Sequence, residues 1–205
     1  MMTQLIGTAA AAPPRHGRRR LFLAAPLLAA AALAGCASPG AGLPTLPERT
    51  SGTYRLGAGD QLRLIVVNDA SLTSEYRVSD TGSIAVPLVG SVQVAGRTTD
   101  EAGREVERIM NERELFNDPS VAVEVVAYRP VFVLGMVEHG GQTPYQPGMT
   151  VLSAVAVVGG FNYRAVTDYV GISRIAEDGR AHEYRATRQS LLSPGDVVNV
   201  YERMF

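Results

Sequence analysis

The longest apolar run in the chain lies at its front, over residues 21–34, and four arginines at 15, 18, 19 and 20 precede it with no acid nearby. A short basic region followed by an apolar run of roughly 7–15 residues has the layout of a secretory signal. A membrane-spanning helix needs about 20 apolar residues, so this run, interrupted by Pro26, is too short to be one. Residues 1–35 therefore read as a signal peptide, and the fold has to be built from residues 36–205. Behind the signal the longest apolar stretch is residues 151–160, far short of a span and suited to a buried helix.

The signal closes on Leu33-Ala34-Gly35-Cys36. The chain has one cysteine, so no internal disulfide is available. A lone Cys can be a core thiol, a nucleophile or a lipid attachment point. The four closing residues resemble the lipobox of bacterial lipoproteins, which implies cleavage before Cys36, a diacylglycerol on its thiol and a third acyl chain on its freed amine. Each buried CH₂ is worth about 0.8 kcal/mol, so several chains anchor a protein to a membrane stably. Ala37, where an Asp would signal retention in the inner membrane, implies an outer-membrane destination. The Arg19-Arg20-Leu21-Phe22-Leu23 segment also resembles a twin-arginine export motif, with Arg18 and Ala24 at the positions usually held by Ser or Thr and by Lys. Both export routes stay open. Residues 36–53, with Pro39, Gly40, Pro44, Pro47 and Gly52, read as a lipidated tether.

All nineteen basic residues are Arg, and four of them leave with the signal, so the body carries five more acids than bases. A nucleic-acid binder needs a basic face to displace counterions, and this balance argues against one. With 46% hydrophobic residues the body can form a core.

Alternation of apolar residues marks strands at 61–67 (Leu62, Leu64, Val66), at 84–88 (Ile84, Val86, Leu88) after the Asp80-Thr81-Gly82 turn, and at 91–94. Thr98-Thr99-Asp100-Glu101 has capping-box spacing, and Ala102, Val106, Ile109 and Met110 recur with helical period behind it. Asn117-Asp118-Pro119 is expected to end this helix, and Val121, Val123 and Val125 to form the next strand. A second set begins near Arg129-Pro130. It comprises a strand at 131–137, a short helix at 151–158 capped by Thr150 and closed by Gly159-Gly160, a hairpin of 169–174 with 180–184 around Glu177-Asp178-Gly179, and a last strand at 197–201. The body is thus expected to be α/β (α+β), with one domain at 54–129 and another at 130–205. One motif occurs twice: Leu56-Gly57-Ala58-Gly59-Asp60 before Leu62 and Leu64 returns as Leu192-Ser193-Pro194-Gly195-Asp196 before Val198 and Val200. Each is a tight turn feeding an alternating strand, with an Asp able to bond nearby amides.

Enzyme chemistry finds little support. His16, His139 and His182 share no metal-ligand spacing, and neither a Gly-x-Ser-x-Gly elbow nor a Walker loop occurs. Glu177 and Asp178 sit in a turn, so a solvated loop accounts for them better than a glycosidase dyad. Gly57 to Gly59 precede a strand rather than a helix, unlike a phosphate loop. No catalytic residue, metal or cofactor is expected.

In order, the motifs resemble those of the outer-membrane polysaccharide export family. Residues 54–60 match its opening Tyr-x-Leu-Gly-x-Gly-Asp; Val78, Gly82, Ile84 and Pro87 match the next segment; residues 90–98 match Gly-x-Val-x-Val-x-Gly-x-Thr. Residues 133–135, 147–152 and 159–161 resemble its soluble-ligand-binding β-grasp (SLBB) domain, and residues 194–205 its closing Pro-Gly-Asp and Glu-Arg-x-Phe segments. Gly140-Gly141 departs from the family's usual Pro-Gly, and the sequence stops at Phe205 where larger members continue into a pore-lining helix. The resemblance implies a small mixed-sheet export domain followed by a β-grasp-like domain, in a non-enzymatic lipoprotein that guides capsule or exopolysaccharide across the envelope from the periplasmic side of the outer membrane. The implied partners are the polysaccharide, further copies of the chain in a ring, an inner-membrane polysaccharide co-polymerase and a separate outer-membrane barrel. No polysaccharide-binding residue can be assigned from the sequence. A periplasmic glycan-binding scaffold lipoprotein is the alternative.

Overall fold

The computed structural model describes residues 38–48, 53–67, 69–176 and 179–204. The signal with His16, Cys36, residues 49–52 and the Glu177-Asp178 part of the hairpin turn lie outside them. From Pro39 onward the chain forms one compact unit. Its elements are β1 (Gln61–Val66), β2 (Asp69–Arg77), β3 (Ser83–Val86), β4 (Gly90–Gln93), α1 (Thr99–Glu112), β5 (Val121–Ala127), β6 (Val131–Gly135), β7 (Gly141–Thr143), α2 (Val151–Val157), β8 (Tyr169–Ile175), β9 (Ala181–Thr187) and β10 (Val197–Val200). The class is α+β, as the alternation and capping signals imply.

Two apolar clusters lie in the unit. The first gathers Leu62, Leu64 and Val66 of β1 with Ile84, Val92, Val106 and Met110. Here β1 is the middle strand of an antiparallel sheet ordered β2-β1-β5, and β3 and β4 form a separate hairpin. Across this sheet α1 buries Ala102, Val106 and Met110, each large side chain contributing about 1.5–3 kcal/mol when fully buried. Its start is the capping box read from the sequence: Glu101 N–H donates to Thr98 Oγ1 (3.1 Å), and Thr98 N–H donates to Glu101 Oε2 (2.9 Å).

The second cluster gathers Val131, Val133, Val151, Val155, Val170, Ile172, Leu192 and Val198. Its sheet runs β7-β6-β10-β8-β9, with β6 and β10 parallel and the other neighbours antiparallel. Thr150 caps α2, with Ser153 completing a capping box.

Four details differ from the sequence reading. Strand β2 is an addition: it is an edge strand whose only buried residue is Leu72, so it shows no alternation. β7, three residues long, is also an addition. Leu88, in phase with Ile84 and Val86, is 69% exposed and holds a φ of 64° in the turn before β4. Helix α1 ends at Glu112, before Asn117-Asp118-Pro119, because Glu114 takes a φ of 54° and sends Leu115 and Phe116 back onto the first cluster.

The Pro-rich segment after Ser38 is built into the fold over part of its length. Leu46 N–H donates to Arg185 O (2.8 Å), and Arg185 N–H donates to Pro44 O (2.8 Å), so residues 44–46 run alongside β9. Leu46 itself is buried in the second cluster. Among the described residues no helix is long and apolar enough to cross a membrane.

Candidate functional site

The two copies of the Gly-Asp motif come together at the junction of the clusters. Each puts a glycine of positive φ, Gly59 (93°) or Gly195 (86°), before an aspartate that is 0% exposed. Each aspartate then accepts from the amide three residues back. Gly57 N–H donates to Asp60 Oδ2 (2.8 Å), and Ser193 N–H donates to Asp196 Oδ2 (2.7 Å). The strands launched from these turns, β1 and β10, are interior strands of their sheets. The repeated motif is therefore one local device used twice, each time to start a central strand.

The two carboxylates are satisfied differently. Asp60 accepts from Tyr54 Oη (2.6 Å) and from the Arg129 backbone N–H (3.0 Å). Asp196 takes a bidentate pair from Arg174, Nε to Oδ1 (2.8 Å) and Nη2 to Oδ2 (2.7 Å). Burial, then the bond to Asp60, pushes the Tyr54 hydroxyl far above its ordinary range. Burial works against the Arg174 charge, but the Asp196 carboxylate prevails and holds it above its usual value.

Arg129 connects the two turns. Its backbone N–H serves Asp60, while its Nε–H donates to Pro194 O (3.0 Å) in the second turn. The guanidinium lies across Gly57, where a Cβ would fall 1.7 Å from Arg129 Nη1. Only glycine leaves room for that arginine. Beside it Tyr54, Tyr128 and Tyr145 stack edge to face, with centroids 4.9 and 5.4 Å apart, geometry that adds about 0.5–1.5 kcal/mol per pair beyond burial.

This arrangement fixes geometry. Both aspartates are enclosed and each already holds three donor contacts, so neither is placed to take a proton from a substrate. Among the described residues no group of His, Cys, Asp and Glu is arranged to hold a metal. His139 lies beside Gly159, and His182 is tilted against Tyr184 in β9; the structure does not bring them together. Shallow grooves lie among the described residues of the second half. One of about 320 Å³ is bounded by Leu46, Glu48, Gln189 and Leu191; another of about 350 Å³ is bounded by Thr143, Gln146, Met149 and Val157. The repeated Gly-Asp motif was legible in the sequence. Arg129 was not, because its partners lie 69 and 65 positions away.

Residues 48–126 match the family model of polysaccharide biosynthesis/export proteins. The chain is 34% identical over 195 residues to the exopolysaccharide production protein ExoF of Rhizobium meliloti (strain 1021), an alignment covering 85% of this chain and 45% of that protein. It is 29% identical over 185 residues to the EPS I polysaccharide export outer membrane protein EpsA of Ralstonia solanacearum, covering 73% of this chain and 48% of that protein. The chain thus spans about half the length of these curated relatives.

Proposed function

Because this chain belongs to the polysaccharide biosynthesis/export family, we propose that it is a non-catalytic lipoprotein component of an apparatus that carries polysaccharide out across the cell envelope. It is anchored by lipid on Cys36 to the outer membrane, faces the periplasm and joins copies of itself in a ring that forms part of the conduit. Polymer reaches it from an inner-membrane polysaccharide co-polymerase. Residues 54–129 are the export domain and residues 130–205 a β-grasp (SLBB) domain, a division supported by the two separate buried clusters.

The observation that carries this reading is the coincidence of family match and junction. Tyr54, Gly57 and Asp60 lie within the matched residues 48–126: Asp60 accepts the Arg129 amide, Tyr54 and the Gly57 amide hold Asp60, and Gly57 leaves room for the Arg129 guanidinium. A closed ring needs a heterologous interface repeated at a constant angle. The Arg129 bonds that tie the two halves to one another support that requirement. The enclosed carboxylates support a structural role over turnover.

Light scattering on the chain from Cys36 onward tests the assembly. A mass of many copies is expected; a single-chain mass together with glycan binding favours the scaffold alternative. Cys36→Ser is expected to leave an unprocessed precursor that takes up no labelled palmitate, and undiminished labelling refutes the anchor.

A further inference from the structure

The segment behind Cys36 is short and soon fixed. Gly40, at φ 74°, sits on the ring of Tyr201, where a Cβ would fall 2.8 Å from Cε2. From there the chain turns, Leu43 N–H donating to Gly40 O (3.2 Å), and runs to the pinned residues 44–46. Three residues lie between Cys36 and Gly40, and the four extended steps they span reach at most about 14 Å. That is about half the ~30 Å hydrocarbon thickness of a bilayer. Acyl chains on Cys36 therefore hold the Tyr201 end of the second half close to the headgroups.

A second observation falls at the same end. Residues 163–166 and 201–204 run side by side, with Val166 N–H donating to Tyr201 O (2.9 Å) and Arg203 N–H donating to Arg164 O (2.8 Å). This pair of segments presents Tyr163, 85% exposed, and Met204, 63% exposed. Arg164, paired with Glu202, and Arg203 accompany them. An aromatic ring with a polar tip, an apolar side chain and arginines that can reach phosphates together suit the membrane–water interface.

We infer that the surface formed by Tyr163, Arg164, Arg203 and Met204 rests on the lipid headgroups of the membrane that holds Cys36. This rests on the lipid anchor proposed above, and the test separates the two. The chain has no Trp and one Cys. Tyr163→Trp therefore supplies a lone indole, and the Cys36 thiol of the chain from residue 36 onward can be coupled to maleimide-lipid in phosphatidylcholine vesicles with brominated acyl chains. Val67→Trp, at an exposed position beside the first cluster, is the reference. The indole at 163 is expected to shift to the blue on coupling and to be quenched several-fold more than the one at 67. Equal quenching at the two positions, or none at 163, overturns the assignment. Thiol coupling replaces native lipidation, so palmitate labelling alone decides whether Cys36 is the anchor.

Discussion

Replacing Gly57 by Ala should destabilise the protein only while Arg129 is present. The added Cβ falls 1.7 Å from Arg129 Nη1 and 2.7 Å from Cζ, so the guanidinium must swing away and release the Nε–H bond to Pro194 O. A hydrogen bond from a charged donor is worth about 1.5–3 kcal/mol. Gly57 itself has no left-handed φ, so alanine is unstrained there and, by restricting the unfolded chain, stabilises by about 0.4–1 kcal/mol. Gly57→Ala alone should therefore cost roughly 1–2 kcal/mol. In an Arg129→Ala background the same substitution should be neutral or stabilising, so the sign of its effect changes. The coupling across the double-mutant cycle is then about 1.5–3 kcal/mol. Urea unfolding of the chain from Cys36 onward, followed by far-ultraviolet circular dichroism, reads all four corners of the cycle. Equal costs of Gly57→Ala in both backgrounds would show that Arg129 is a bystander and refute the lock.

The two aspartates should respond unequally. Asp196→Asn strands the Arg174 guanidinium against a neutral partner and should cost about 3–5 kcal/mol. Asp60→Asn faces uncharged donors and the Arg129 amide and should cost roughly 1–3 kcal/mol; the reverse order in urea unfolding would contradict the pairing. In the capping box, the Thr98 N–H first, then the Arg55 charge, holds the Glu101 carboxyl below its ordinary value. A carboxyl lowered in the folded state contributes stability that is fully present above about pH 4.3, the ordinary Glu value, and lost as pH falls through its folded value. Glu101→Gln should therefore flatten part of the loss of stability on acidification, and an unchanged pH profile would remove Glu101 from it. Thr98→Ala should cost about 1 kcal/mol at neutral pH, as loss of a helix cap does.

Most of the fold was legible where an element carries its own signal. β1 buries Leu62, Leu64 and Val66 in the phase its alternation implies, and α1 begins at the capping box. Elements that lean on neighbours were not legible. β2 is set by pairing with β1 and by one buried leucine, so its sequence looks like a loop. Residues 44–46 have the composition of a linker, yet two backbone hydrogen bonds and one buried leucine dock them on β9. Leu88 shows the opposite failure: period-2 alternation runs on past the point where a turn breaks the phase. The same holds for the candidate site. Each Gly-Asp turn is a local pattern and could be read, whereas Arg129 acquires its role only when folding brings residues 57, 60 and 194 around it.

Export and turnover of polysaccharide are told apart by following the polymer in cells that lack this protein. Labelled sugar should still enter polymer or its lipid-linked precursors, while polysaccharide outside the cell falls to background and returns when the full chain is restored. Normal amounts of external polysaccharide in the deletion strain, or cleavage of purified polysaccharide by the purified protein, would contradict the account.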